Sequence, residues 1–139
     1  MSATQLAALA RTPEPHTMLR RFLAFDAVGT GANGIAYLVA PGPVGRLLGI
    51  DSGLLLTLGV LLTAYAAGVG LLATRPQPQA LPVRAVIELN LAWTALSFLA
   101  LAVWLSPTTT GAVYIPVQAL VVAGFAGLQY AALRAVQRR

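Results

Sequence analysis

Residues 22–40 read FLAFDAVGTGANGIAYLVA. A bilayer's hydrocarbon core of roughly 30 Å is crossed by a helix of about 20 mostly apolar residues, and this run has that length. It also carries Asp26, Asn33 and the glycines 29, 31 and 34. Asp26, Thr30, Asn33 and Tyr37 recur at helical spacing, so a helix puts them on one face. A carboxylate turned to lipid costs ~2.5–3.5 kcal/mol on insertion scales, so that face is expected to look into protein. A span at 22–40 therefore requires other helices around it.

Three more apolar runs supply them, over approximately 54–73, 86–105 and 112–133. The 139 residues are 58% hydrophobic and 9% charged, with mean hydropathy +0.76. Ordinary soluble domains are about 25% charged, so the composition points to a membrane protein. Short Pro- and Gly-rich connections favour an all-α, four-transmembrane-helix, up-down-up-down bundle with no separate soluble domain. Cysteine is absent, which excludes disulfides, thiol redox chemistry and thiolate metal ligands.

The basic residues set the expected orientation. All nine are Arg. Arg11, Arg20 and Arg21 precede the first run, Arg75 and Arg84 flank the middle connection, and Arg134, Arg138 and Arg139 follow the last. Only Arg46 lies on the other side. This bias predicts cytoplasmic N- and C-termini. Residues 1–21 are expected as a cytoplasmic tail, 22–133 as the transmembrane domain and 134–139 as a basic cytoplasmic end. The net charge of +5 is assigned to topology and lipid headgroups, and no nucleic-acid partner is expected. In the first outer connection, VGRLLGI (44–50) is a short amphipathic piece suited to the headgroup layer, and Asp51 or Ser52 can cap the next helix.

Counting inward from the arginines, Asp26, Glu88 and Gln129 each lie about 6–7 Å from the cytoplasmic boundary at the helical rise. Asn33, Tyr65, Asn90, Trp93 and Thr94 follow nearer the midplane. The expected ligand-binding set is Asp26, Thr30, Asn33, Tyr65, Glu88, Asn90, Trp93 and Gln129. Asp26 admits two readings: a protonatable or cation-binding carboxylate, or an interfacial acid paired to Arg20, Arg21 or Arg84. Glu88 has Arg84 four residues before it, the spacing of a local ion pair. Tyr37, Trp104 and Tyr114 read as aromatic-belt anchors. Gly59, Thr63, Ala66 and Gly70 make a small-residue stripe on the second span, a surface for close helix contact and a candidate face for a homo-oligomer.

Motifs for phosphate loops, zinc proteases, serine hydrolases and bis-histidine haem are missing, no metal or cofactor is expected, and a non-enzymatic role is favoured. With RRFLAFDAVGTGANG in the first span, ELNLAW in the third and LQYAALR at the end in view, the whole chain resembles a group of small four-helix membrane proteins of high-GC bacteria. The architecture is similar to that of DoxX-type proteins. The resemblance implies a bacterial cytoplasmic membrane and a four-helix bundle, and carries no activity onto individual residues. The expected function is binding or transport of a small molecule or ion at a polar intramembrane site, with Asp26 as its titrating group. Two other classes compete: an accessory subunit of a larger membrane partner, whose polar residues only fix packing, and a membrane enzyme acting on a lipid or quinone.

Overall fold

The computed structural model describes residues 2–3 and 14–138. Most of the expected tail lies outside the described residues, as do Arg11 and Arg139. The first helix, α1 (Pro15–Val39), begins seven residues before the expected Phe22. Pro15 stands at its first turn, where the missing proline N–H is no loss because that donor has no intrahelical partner. Helix α1 stops at Ala40 because Pro41 disfavours helical geometry in the residue before it, and Ala40 adopts φ −132°.

Helix α2 (Pro41–Leu48) is the amphipathic piece of the connection between the first two long helices. It ends at Gly49, whose φ of 72° is the left-handed cap that glycine adopts without a Cβ clash. Asp51 then caps α3 (Ser52–Ala73), its Oδ2 accepting the Leu54 N–H at 3.1 Å. A Pro-rich connection leads to α4 (Ala80–Val103), which also starts earlier than expected. Thr108 caps α5 (Thr109–Gln137), its Oγ1 accepting the Gly111 N–H at 3.2 Å.

Helices α1, α3, α4 and α5 are each long and apolar enough to cross a membrane, and no strand occurs among the described residues. The exterior agrees with a lipid surround: Val28, Ile35, Leu61, Leu71, Leu99 and Val103 all point outward. In water so large an apolar exterior would be a liability; in hydrocarbon it is the matched surface.

Packing is uneven. Helices α1 and α3 meet along most of their length, as do α4 and α5, and α1 joins the two pairs through α5. Helices α3 and α4 barely touch. The α1–α3 contact is close because both faces are small. A Cβ on Gly34 would lie 2.6 Å from Thr63 Oγ1 and 2.9 Å from its backbone nitrogen, and Gly31 faces Ala66. The small-residue stripe of α3 is therefore buried against α1 within one chain. The expectation that it offers a face to a second copy is corrected, because Gly31 and Gly34 complete that contact internally.

Arg20 reaches the other end of this pair, donating from Nε to the Ala73 carbonyl at 2.9 Å. At this arginine-rich end Leu19, Leu23, Val69, Val83, Ile87 and Leu133 form the apolar core. At the opposite end α2 is tied to the start of α5. The Thr108 N–H donates to Leu48 O at 3.1 Å, and Thr108 Oγ1 donates to Leu47 O at 2.6 Å.

Candidate binding site in the bundle interior

Asp26 is fully buried. The spacing that put Asp26, Thr30, Asn33 and Tyr37 on one face turns that face inward. Thr30 Oγ1 donates to Asp26 Oδ1 at 3.0 Å, while Asn90 Nδ2 and Gln129 Nε2 each donate to Oδ2 at 2.8 Å. Asn90 Nδ2 also reaches Gln129 Oε1 at 3.1 Å. On the remaining side Tyr65 donates its hydroxyl to Asn90 Oδ1 at 3.0 Å. The carboxylate thus gathers side chains from α1, α4 and α5 directly and Tyr65 of α3 through Asn90, and every donor aimed at it is neutral.

The alternative of an ion pair to Arg20, Arg21 or Arg84 is corrected by these contacts. Arg20 is engaged with Ala73, and Arg21 and Arg84 are exposed. Glu88 is also exposed and has no ion pair with Arg84. The reason is rotation: Asn90 faces inward, and a residue two positions earlier is turned about 200° away at 3.6 residues per turn. Equal depth does not bring Glu88 to Asp26.

A second polar layer lies toward the α2 end. Tyr114 OH donates to Asn33 Oδ1 at 3.1 Å, so the 3.0 Å contact between Tyr37 and Tyr114 has Tyr37 as donor. Trp93 Nε1 donates to Gln118 Oε1 at 2.8 Å. The amide nitrogen of Gln118 is then free to donate to Ile115 O at 2.9 Å and Ser97 Oγ at 3.3 Å. Tyr37 is buried and Tyr114 half-buried, so neither serves as a belt anchor; only Trp104 of the three stands exposed. Tyr114 and Gln118 stand outside the expected ligand-binding set, although the sequence already places Gln118 with Gln129 on one face of the last span. Their four-residue spacing, which places both on one face of α5, was the signal that could have found them.

Between the layers lies a cavity of about 320 Å³. Thr30 and Tyr65 border it beside the Asp26 cluster, Asn33, Trp93 and Gln118 supply polar groups from the second layer, and Leu62 and Val122 belong to its apolar wall. Asp26, Asn90 and Gln129 do not line it. Leu61 of α3 and Leu89 of α4 flank it and are both exposed, so it opens sideways where those helices part. A second cavity of about 380 Å³ adjoins it through Tyr37, Trp93 and Gln118 and continues toward α2 between the apolar walls of α3 and α4.

The arrangement is a wedge with a hydrogen-bonding inner end and a greasy mouth. Its polar groups are uncharged, which suits a neutral head better than a bare ion. Among the described residues no cluster of three or more His, Asp or Glu side chains forms a metal-binding group. No family model, curated protein or solved structure matches this chain.

Proposed function

We propose that this protein binds a lipid-soluble small molecule, an uncharged amphiphile with a compact hydrogen-bonding head, drawn from the bilayer between α3 and α4. One observation carries the reading: the cavity bordered by Thr30, Asn33, Tyr65, Trp93 and Gln118 opens between two helices that scarcely meet. A volume of about 320 Å³ lies at the lower end of ligand-site sizes and suits a single-ring head, with the adjoining apolar space for a tail. The Asp26 cluster serves as the floor of the site: it fixes the helix rotations that present Thr30 and Tyr65.

The antiparallel pairing of contacts supports an up-down-up-down path. Asp26 meets Gln129 while Asn33 meets Tyr114, and Gly70 lies near Ala27 while Gly59 lies near Leu38. The arginine bias and the DoxX-like resemblance support a bacterial cytoplasmic membrane with both termini inside. Accessory-subunit function is the second reading, favoured by the internal pairing of Asp26 with all its donors. An enzyme using paired carboxylates is disfavoured, because Glu88 faces away from Asp26. Any homo-oligomer would use a face other than the stripe of α3.

The test uses the quenching of tryptophan fluorescence by a decyl-tailed benzoquinone in nanodiscs. Wild type should quench saturably, and Val122→Trp, which fills the cavity without touching the Asp26 cluster, should not bind; as it adds a fluorophore, displacement of a fluorescent quinone analogue is read beside it. Equal binding by both proteins would overturn the assignment of this cavity.

A further inference from the structure

A different groove lies at the arginine-rich end, between α4 and α5. It encloses about 600 Å³ and is bordered by Arg84 from α4 and by Arg134 and Arg138 from α5. Arg134 is held in place: its Nη1 donates to Tyr130 OH at 3.0 Å, and its guanidinium carbon lies 5.8 Å from the centroid of that ring. Three guanidinium groups stand against one carboxylate, Glu88, and no ion pair joins Glu88 to Arg84. The groove continues along Ile87 and Leu91, and Leu91 is exposed.

We propose that this groove binds the headgroup of an anionic phospholipid, its phosphodiester on Arg84, Arg134 and Arg138 and an acyl chain along Leu91. The chemistry selects this occupant. Guanidinium groups offer planar, paired donors that match phosphate oxygens. A free phosphate would use the arginines alone, whereas a lipid also uses the apolar continuation below them. A zwitterionic lipid presents no net charge to the excess of arginine. Glu88 tempers the attraction and so gives the site a signature: its removal strengthens binding to an anion.

The site is independent of the cavity proposed above, and its test reads lipid rather than quinone. Protein is reconstituted into nanodiscs of phosphatidylcholine containing a minor share of phosphatidylglycerol, and the lipids retained on release are counted by native mass spectrometry. Wild type should be enriched in phosphatidylglycerol, and enrichment should fall about fivefold for each arginine replaced in Arg84→Gln and Arg134→Gln, the equivalent of about 1 kcal/mol per basic residue. Glu88→Gln should raise it. All three side chains are exposed, so circular dichroism should show unaltered folding. Equal enrichment in wild type and the Arg84→Gln/Arg134→Gln double variant would overturn the proposal. So would displacement of the lipid by excess inorganic phosphate, which would make the groove a soluble-anion site.

Discussion

Replacing Asp26 by Asn and by Leu separates its shape from its charge. In Asp26→Asn the side-chain oxygen can take the Oδ2 position and keep accepting from Asn90 and Gln129, both now at 2.8 Å. The new amide nitrogen then faces Thr30 Oγ1, which can reverse its role and accept. Every partner stays satisfied, so the loss is that of charge assistance, under about 1 kcal/mol given that interhelical hydrogen bonds average ~0.6. Asp26→Leu offers no acceptor. Thr30 can turn to a backbone carbonyl one turn back, and Asn90 Nδ2 keeps Gln129 Oε1 at 3.1 Å, but Gln129 Nε2 is stranded. A buried unpaired amide costs about 1–3 kcal/mol, which sets the expected destabilisation. Adding Asn90→Leu and Gln129→Leu removes the stranded donors, and the triple variant should recover much of that loss. The assay is reversible unfolding in mixed micelles, followed by circular dichroism. Asp26→Asn proving as damaging as Asp26→Leu, or no recovery in the triple variant, would refute the argument and point to the negative charge itself as the needed property.

Gly34→Val should lower stability in the same unfolding assay by about 1–3 kcal/mol, because its side chain would meet Thr63 and force α1 from α3. Tyr114→Phe should cost more than Tyr37→Phe, since Tyr114 bridges Tyr37 and Asn33 whereas Tyr37 contributes a single contact; the difference should be about 0.6 kcal/mol in thermal unfolding. Trp93→Phe keeps the ring but removes the donor to Gln118, so quinone-analogue affinity should change while stability falls by less than about 1 kcal/mol.

The four long helices were legible because an apolar run of about 20 residues has few other uses. Boundaries were less so: Arg20 and Arg21 read as the end of the hydrocarbon, yet α1 runs on through them to Pro15, with Arg20 serving the last carbonyl of α3. The inward stripe of α1 was legible from spacing alone. What that stripe meets was not, because depth can be counted along a sequence and rotation about the axis cannot. Glu88 and Asn90 lie at nearly equal depth, and only packing reveals that Asn90 turns inward. Tyr37 and Tyr114 show the same ambiguity, since a tyrosine near the boundary can reach headgroups or fold back into the bundle. For α3, small residues promised a close neighbour, but α1 and a second copy satisfy that promise equally well until the glycines of α1 are seen opposite them.

The scant contact between α3 and α4 bears on how the chain is made. These two helices are joined by the short Pro-rich connection, so each half of the protein is a hairpin in sequence: α1 with α3, then α4 with α5. Each hairpin can close its own tightest seam as it leaves the insertion machinery, without waiting for the other. Were the hairpins to form first, their docking would bring Asn90 and Gln129 together to a carboxylate whose side-chain partner within the first hairpin is Thr30. Asp26 would then gain two partners when the hairpins meet, and those two hydrogen bonds at 2.8 Å would favour capture of the second hairpin.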